Sequence, residues 1–125
     1  MAQAETLVTA GAFEALMDAL EHGQIAELRR RLCRDVCFLT QDRTPIRGRD
    51  RVDSLLGQLV EAGLVVSTAE TSCLELGQLA LVSARLEMRL PARPKVLELA
   101  GDALFALAHR EGEWKLLLVA PWGLP

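Results

Sequence analysis

The period of the hydrophobic pattern changes once along this 125-residue chain, at Gly63. Before Gly63, apolar residues recur at the three- and four-residue spacing of amphipathic helices. After it, apolar and polar residues alternate, as in strands with one buried face. Because the helical and strand-like patterns are segregated rather than interleaved along the chain, they predict an α+β domain.

Three amphipathic helices are predicted in the first half of the chain. The first covers residues 5–22, and Gly23 supplies the left-handed residue that ends it. A short second helix covers roughly residues 24–33, and the third runs from about Asp50 to Ala62. The apolar face of the first helix consists of Phe13, Leu16, Met17 and Leu20.

Two short extended segments are predicted between the second and third helices, at Val36–Thr40 and Pro45–Gly48. Farther along, Gly101-Asp102 is predicted to form a bulge that re-aims the second half of its strand. The proline-containing residues 91–94 are predicted to interrupt the sheet. The four long strands after the third helix are predicted at residues 65–76, 79–90, 95–109 and Trp114–Trp122.

The last of these strands bears on the oligomeric state. The run from Trp114 to Ala120 is apolar on both faces, whereas a half-exposed antiparallel strand alternates. Three helices can cover only one face of the sheet, so the other face needs a cover as well. We expect a homodimer through the sheet, in which a second copy of the chain covers that face. The alternative is a sheet rolled tightly enough to bury both faces within one chain.

Length and composition bound the class of protein. A chain of this length, half of whose residues are hydrophobic, is expected to form a single domain over residues 1–125. No apolar run reaches the about 18 residues that span a bilayer, and the first residues lack the order of a signal peptide. A cytoplasmic protein with no membrane partner is therefore expected. The net charge of −3 gives no general attraction to nucleic acid, so no nucleic-acid partner is expected.

Arginine is concentrated in residues 27–53, which hold eight arginines and five acidic residues. We interpret this segment as solvated surface with local ion pairs, because the acidic residues are interleaved among the arginines. The alternative interpretation is a site for an anion or a phosphate group.

No metal site and no cofactor are expected. Cys33 and Cys37 are four residues apart and Cys73 is remote, whereas a structural zinc site needs four ligands at closer, paired spacing. The chain has only two histidines, His22 and His109. Its serines and glycines form neither a nucleophile elbow nor a phosphate-binding loop.

Several short segments occur in a known order and spacing. They are Phe13, then LEHGQI (20–25), LCRDVCF (32–38), PIRGRD (45–50), REGEWKL (110–116) and APWG (120–123). Together they resemble the nuclear transport factor 2-like superfamily, which includes ketosteroid isomerases and SnoaL-like polyketide cyclases. The resemblance covers nearly the whole chain.

This resemblance implies a cone-shaped half-barrel, with three N-terminal helices packed on a curved, mostly antiparallel sheet. It also implies a deep, mostly apolar pocket between the helices and the sheet, and often a homodimer through the sheet. It does not specify a reaction, because the same fold hosts isomerases, cyclases, epoxide hydrolases and non-catalytic binding modules.

The site of ketosteroid isomerases is not reproduced when it is carried over residue by residue. Those enzymes need a carboxylate base, a tyrosine and a protonated aspartate. The corresponding positions fall near Thr40, at Leu16 and at about Leu104, and the chain contains no tyrosine. The nearby acids Asp42 and Asp102 are predicted at solvated turn or bulge positions. Ketosteroid isomerase chemistry is therefore not expected.

An enzyme of another class within the fold is the alternative. The epoxide hydrolases of this superfamily activate water with an Arg between two Asp residues, and Arg85-Leu86-Glu87 has a matching Arg-x-acid spacing on one face of a strand. The second acid has no match, and a same-face surface pair is the simpler interpretation. Isomerase, cyclase or hydrolase chemistry would use Asp42, Arg85, Glu87 or Asp102.

The leading hypothesis is a homodimer that binds a small hydrophobic molecule in the cone, with no catalytic residue. A second alternative is a structural dimerisation module whose cone is filled by side chains. The residues expected to line the cavity are Phe13, Leu16, Met17, Phe38, Thr40, Leu59, Met88, Leu104 and Trp122.

Overall fold

The computed structural model describes residues 2–91 and 96–122, without the side chains of residues 2–10 and 69–71. The helices lie mainly before Gly63 and all the long strands after it, as the change of hydrophobic period predicts. The helices are α1 (Ala2–Glu21), α2 (Ile25–Arg30) and α3 (Arg49–Glu61). The strands are β1 (Leu32–Leu39), β2 (Pro45–Arg47), β3 (Val65–Leu76), β4 (Leu79–Leu90), β5 (Leu97–Arg110) and β6 (Glu113–Ala120).

The six strands form one mixed sheet in the order β2-β1-β6-β5-β4-β3. β1 and β6 run parallel, and all other neighbours run antiparallel. The sheet is curved and does not close, and the three helices belong to the same α+β unit. The predicted fold class is therefore confirmed. No helix in the described part of the chain is both long and apolar enough to cross a lipid bilayer.

An apolar row of residues crosses the whole sheet beneath the helices. Directly paired residues of neighbouring strands point to the same face of a sheet, so such a row can be followed from strand to strand. The row consists of Cys73, Val82, Phe105, Val119, Phe38 and Ile46. α1 packs on it through Phe13, which is 1% exposed and whose ring centroid lies 4.8 Å from that of Phe105, edge to face.

Two glycines set the boundaries of the helices. Gly23 has a φ of +65°, and a Cβ at this position would lie 3.1 Å from Cγ1 of Val60 in α3. Both the backbone conformation and this close approach favour glycine. Gly48 has a φ of +99°, and its N–H donates a hydrogen bond to the carbonyl of Val36 (2.9 Å). This bond ties the start of α3 to β1.

The second helix is shorter than predicted. It ends at Arg30, and β1 begins at Leu32, earlier than predicted. The reason is a hydrogen bond from the N–H of Leu116 to the carbonyl of Arg31 (2.8 Å), which joins the chain to β6 directly after the helix. Tertiary pairing thus overrides the helical pattern of this segment.

The predicted bulge at Gly101-Asp102 is wrong. The pairing of β4 with β5 runs through both residues without a register shift. The register shifts instead where β5 meets β6, and Leu117 is the extra residue on the β6 side. This bulge brings both Leu116 and Val119 to the helix side of the sheet, which explains why the last strand does not alternate.

The predicted ends of the last two strands also shift. β6 ends at Ala120, and Trp122 lies in the turn that follows. The backbone carbonyl oxygen of Trp122 accepts a hydrogen bond from Nη2 of Arg43 (3.0 Å). β5 begins at Leu97. The interruption predicted at residues 91–94 lies, apart from its first residue, outside the described residues.

Replacing Phe13 by Ala should lower the free energy of unfolding by about 3–5 kcal/mol, because it leaves a cavity between α1 and Phe105. Urea denaturation measures this loss. Glu14→Ala is the matched control on the same helix; its side chain is exposed, and we expect a change within about 0.5 kcal/mol. Similar losses in the two variants would contradict the packing of α1 on the sheet.

Candidate functional site

A cavity of about 50 Å³ lies between the helices and the concave face of the sheet. It is lined by Leu16, Met17, Leu20, Leu28, Phe38, Leu56, Leu59, Leu64, Val66, Leu86, Met88, Phe105, Leu116, Val119 and Pro121. Every side chain in this lining is apolar. A cavity of this kind offers a ligand dispersion contacts and exclusion from water, but no side-chain hydrogen bond.

The cavity has a buried side and an exposed side. On the buried side, Leu28 and Leu116 are 1% and 3% exposed. On the opposite side, five wall residues are only half-buried: Met17, Leu20, Leu59, Leu64 and Met88. We call these five residues the mouth of the cavity. Two of the five are methionines, whose unbranched side chains adapt readily to irregular shapes.

The cavity is small for a ligand site. One water-sized molecule needs about 10–15 Å³ of such space, so the present volume corresponds to roughly three to five of them. Pockets for drug-sized ligands are typically about 300–1,000 Å³. A ligand larger than a few non-hydrogen atoms would therefore have to displace side chains at the mouth.

Five of the nine residues predicted to line the cavity do lie in its wall. They are Leu16, Met17, Phe38, Leu59 and Met88. Sequence reasoning missed the other ten wall residues. Leu56 is one of them, although α3 places it three residues before Leu59, on the same side of the helix. Val66 could have been found from strand alternation, because it pairs directly with Met88.

Leu104, which was predicted to line the cavity, is not part of its wall. It pairs with Ser83 and Ala120, on the face of the sheet opposite the helices, which we call the back face. Its neighbours in sequence, Ala103 and Phe105, are the buried residues that face the helices. The assignment of Leu104 came from the position of an aspartate in ketosteroid isomerases and not from the alternation of this strand.

Phe13, Thr40 and Trp122 also lie outside the cavity wall. Phe13 is fully buried against Phe105 and contributes to the core rather than to the cavity. Thr40 follows β1, where its hydroxyl donates a hydrogen bond to Asp42. Trp122 packs partly buried against the core.

The four polar residues proposed for an enzyme do not meet at the cavity. Arg85 and Glu87 lie on the back face of β4, and Arg85 is 3.9 Å from Asp102 across the sheet. All three are exposed, with the Asp102 side chain 92% accessible. Asp42 is exposed in the turn after β1. These side chains therefore cannot provide acid–base chemistry inside the cone.

Asp42 has a structural explanation. Its carboxylate accepts hydrogen bonds from the Thr40 hydroxyl and from the backbone N–H of Thr44 (3.2 Å), which closes the turn between β1 and β2. These hydrogen bonds, that from Thr40 foremost, hold the pKa of Asp42 below its ordinary value. The group is ionised and solvated at neutral pH, unlike a carboxyl group poised as a general acid.

Three side chains at the end of α1 could approach one metal ion. Ligand atoms of Asp18, Glu21 and His22 lie within 4.8 Å of one another, and all three residues are exposed. His22 Nδ1 is already 2.8 Å from the carbonyl oxygen of Asp18 and 3.2 Å from its carboxylate. The hydrogen bond to this carbonyl, together with the Asp18 charge, raises the pKa of His22. We interpret the trio as a helix-end contact.

The arginine-rich segment forms many of the expected ion pairs. Arg29 joins α2 to α3 through Asp50 (2.5 Å) and Asp53 (3.2 Å). Glu27 accepts hydrogen bonds from both Arg30 and Arg31 within α2 and the residue after it. These contacts are at the surface and contribute little stability each.

No protein-family model matches this sequence, and no curated protein matches it. Solved structures do match. One is a candidate dehydratase of the NTF2-like family from Streptomyces avermitilis, with a TM-score of 0.82, 14% identity and 95% of each chain covered. A conserved protein from Planctomyces limnophilus gives a TM-score of 0.79 at 24% identity, with 95% of this chain and 98% of that chain covered.

A candidate ketosteroid isomerase from Shewanella frigidimarina matches as well, with a TM-score of 0.72, 17% identity and coverage of 90% of this chain and 92% of that chain. The predicted resemblance is confirmed at the level of the fold: this chain has the nuclear transport factor 2-like fold. At such low identities the likeness extends to the fold alone.

The opposite orientations of Leu86 and Glu87 on β4 give a direct test of the site geometry. Leu86→Ala removes a cavity-wall side chain that is 4% exposed and should cost about 2–5 kcal/mol of unfolding free energy. Glu87→Gln changes an exposed residue on the back face and should stay within about 0.5 kcal/mol. Chemical denaturation measures the free energy of unfolding of both variants. A larger loss for Glu87→Gln than for Leu86→Ala would show that the two faces of β4 are assigned the wrong way round.

Proposed function

We propose that this chain is a cytoplasmic homodimer that binds a small apolar molecule in the cone and carries out no acid–base chemistry there. The observation that supports this proposal is the cavity wall, in which every side chain is apolar. Such a wall recognises a ligand by shape and by burial of apolar area, worth about 25 cal/mol per Å². It offers no side chain that could donate or accept a proton.

The two mouth methionines make ligand entry plausible in spite of the small volume. Met17 comes from α1 and Met88 from β4, so they approach the cavity from different layers. Both are half-buried at the edge of the core, so a rotamer change can move them toward solvent. The ligand we propose is compact, apolar and about the size of a benzene ring.

The names of two structural neighbours point to other chemistry. One is a candidate dehydratase and the other a candidate ketosteroid isomerase. Proton abstraction next to a carbonyl needs a carboxylate and hydrogen-bond donors directed at the substrate. In the described cavity wall of this chain, leucine, methionine, phenylalanine, valine and proline occupy all positions. We therefore place this chain among the binding modules of the fold.

The homodimer is supported by the back face of the sheet. A row of directly paired residues crosses five strands on this face, and all its members are apolar. They are Leu74, Leu81, Ala106, Leu118 and Cys37. Beside this row, Leu76 and Leu79 are 55% and 44% exposed. We propose that a second copy of the chain packs on this row, because large apolar patches on a soluble protein mark interaction sites.

A second candidate function is favoured by the cavity volume. At about 50 Å³, the cone could remain closed in the living cell, and the chain would then serve only as a structural dimerisation module. This candidate shares the back-face dimer with the first and differs only in whether the cone accepts a ligand.

Ligand entry is tested with benzene as the probe and Leu59→Trp as the blocking variant. Benzene should raise the Tm of the unmodified protein, since a ligand at a hundredfold excess over its Kd adds about 2.7 kcal/mol of stability. Leu59→Trp fills the mouth and should abolish this shift. Differential scanning calorimetry with and without benzene measures both effects, and mass spectrometry of the denatured protein detects any co-purified molecule.

Leu55→Trp is the matched control for this experiment. Leu55 lies on the same helix and is half-buried, but it is not part of the cavity wall. Its variant should retain the benzene shift. If benzene leaves the Tm unchanged and no small molecule co-purifies, the closed structural module is the better description.

The dimer is tested with Leu81→Arg. A charge within the back-face row would be buried without a partner on association, at a cost of several kcal/mol, and two-fold symmetry places it in the interface twice. The dimer dissociation constant should rise by at least about a hundredfold, as measured by sedimentation equilibrium. Gln58→Arg, on the exposed surface of α3, should leave it unchanged. A monomeric unmodified protein at micromolar concentration would refute the dimer.

A further inference from the structure

A second pocket, of about 170 Å³, lies where the start of β1, the start of α3 and the turn between β5 and β6 meet. We call it the basic pocket. It is lined by Leu32 and Cys33 together with Arg34, Arg49, Arg110, Glu111 and Lys115. Four of these seven side chains are cationic and one is anionic, in a chain whose net charge is −3. The pocket thus concentrates positive charge in an otherwise acidic protein.

Two of the four cations are already paired. Arg110 donates to Asp35 (2.6 Å), which links the end of β5 to β1. Lys115 donates to Glu111 (3.0 Å), and its side chain is only 15% exposed. These two ion pairs fix the wall of the basic pocket, and their charges cancel.

The other two cations, Arg34 and Arg49, are not in direct contact with a carboxylate. Within the described residues, neither forms a short ion pair or a side-chain hydrogen bond. Their charges act on Glu111 only at longer range: the hydrogen bond from Lys115 is the main cause that lowers the pKa of Glu111, and the two arginines add to it. Nε of Arg49 is buried and unsatisfied by any described group. A buried N–H without a partner costs free energy, and two guanidinium groups on one pocket repel each other. A bound anion would relieve both costs.

The chain holds these two arginines in place from different elements. Arg34 belongs to β1, and Arg49 is the first residue of α3. The hydrogen bond from Gly48 to Val36 (2.9 Å) joins the two elements directly beside them. The cationic groups are therefore brought together by the backbone before any ligand arrives, which is the preorganisation that an anion site requires.

We propose that the basic pocket binds a small oxyanion of the phosphate class, either inorganic phosphate or the phosphate group of a phosphomonoester. Guanidinium groups match phosphate oxygens in pairs, and a tetrahedral anion can accept from donors on several sides at once. The volume exceeds by about tenfold what one water-sized molecule needs, which admits such an ion. The negative charge of Glu111 repels the bound anion and limits the affinity of the pocket for it.

Cys33 does not turn this site into a thiolate enzyme. The thiol is buried, at 2% exposure of the residue, and burial raises its pKa. It therefore remains a neutral thiol at pH 7, whereas nucleophilic cysteines require a lowered pKa. The pocket therefore offers cationic groups for binding, and its buried residues Leu32 and Cys33 supply no nucleophile.

Isothermal titration with inorganic phosphate at constant ionic strength tests the proposal. The full chain should show saturable binding. Arg49→Gln and Arg34→Gln should each weaken it by about tenfold, which corresponds to the loss of one charge-assisted hydrogen bond. Glu111→Gln should strengthen binding, because it removes the one anionic group among the described residues that line the pocket. This variant keeps the test informative if Arg49→Gln disturbs folding.

Arg51→Gln is the matched control. Arg51 is exposed on the same helix as Arg49 and does not line the pocket. The substitution removes the same charge as Arg49→Gln, and the phosphate affinity of the variant should equal that of the unmodified protein. Methyl phosphate in place of phosphate separates the two ligand sources: equal affinity assigns the site to phosphomonoesters, and weaker binding assigns it to the free ion. The proposal is overturned if no saturable binding occurs, if Arg51→Gln weakens binding as much as Arg49→Gln, or if Glu111→Gln reduces it.

Discussion

The contact of Phe13 with Phe105 is the interaction on which the rest of the structure depends. It seats α1 on the apolar row that crosses all six strands, with the two rings 4.8 Å apart. Leu16 and Met17 follow one turn later on the same face of the helix, so they reach the cavity only when Phe13 is seated. The core contact and the cavity wall are therefore consecutive turns of one helix, and loss of the first would open the second.

The bulge at Leu117 gives the sheet its two apolar faces. The extra residue lets Leu116 and Val119 both point toward the helices, while Leu118 points to the back face. One strand thus supplies part of the cavity wall and one residue of the back-face row. In a regularly alternating strand, residues three positions apart point to opposite faces. Without the bulge, Leu116 and Val119 would therefore lie on opposite faces of the sheet.

The hydrophobic period was sufficient to predict the helices, the long strands and the α+β class, because burial of one face places an apolar residue at every second position of a strand and at every third or fourth position of a helix. The cone-shaped fold was implied by the family resemblance. The period was not sufficient for strand register: the bulge predicted at Gly101-Asp102 is absent from the pairing of β4 with β5. Leu104 was assigned to the cavity through the resemblance, although a residue one position away from Phe105 lies on the opposite face of the strand. The start of β1 was missed for a related reason: it is set by pairing with β6, which is distant in sequence. Arg34 and Arg49 likewise come together only through a tertiary contact, the hydrogen bond from Gly48 to Val36.

The two candidate sites, one apolar and one charged, are separate in this domain. The cone contains no charged side chain in its described wall, and the paired arginines of α2 lie outside it on the surface. Because solvent and salt screen exposed charges but hardly affect dispersion contacts, the two candidate sites should respond differently to ionic strength. Binding in the cone should be nearly independent of salt, and phosphate binding beside Arg49 should weaken as salt rises. The two sites can therefore be studied independently in the same protein.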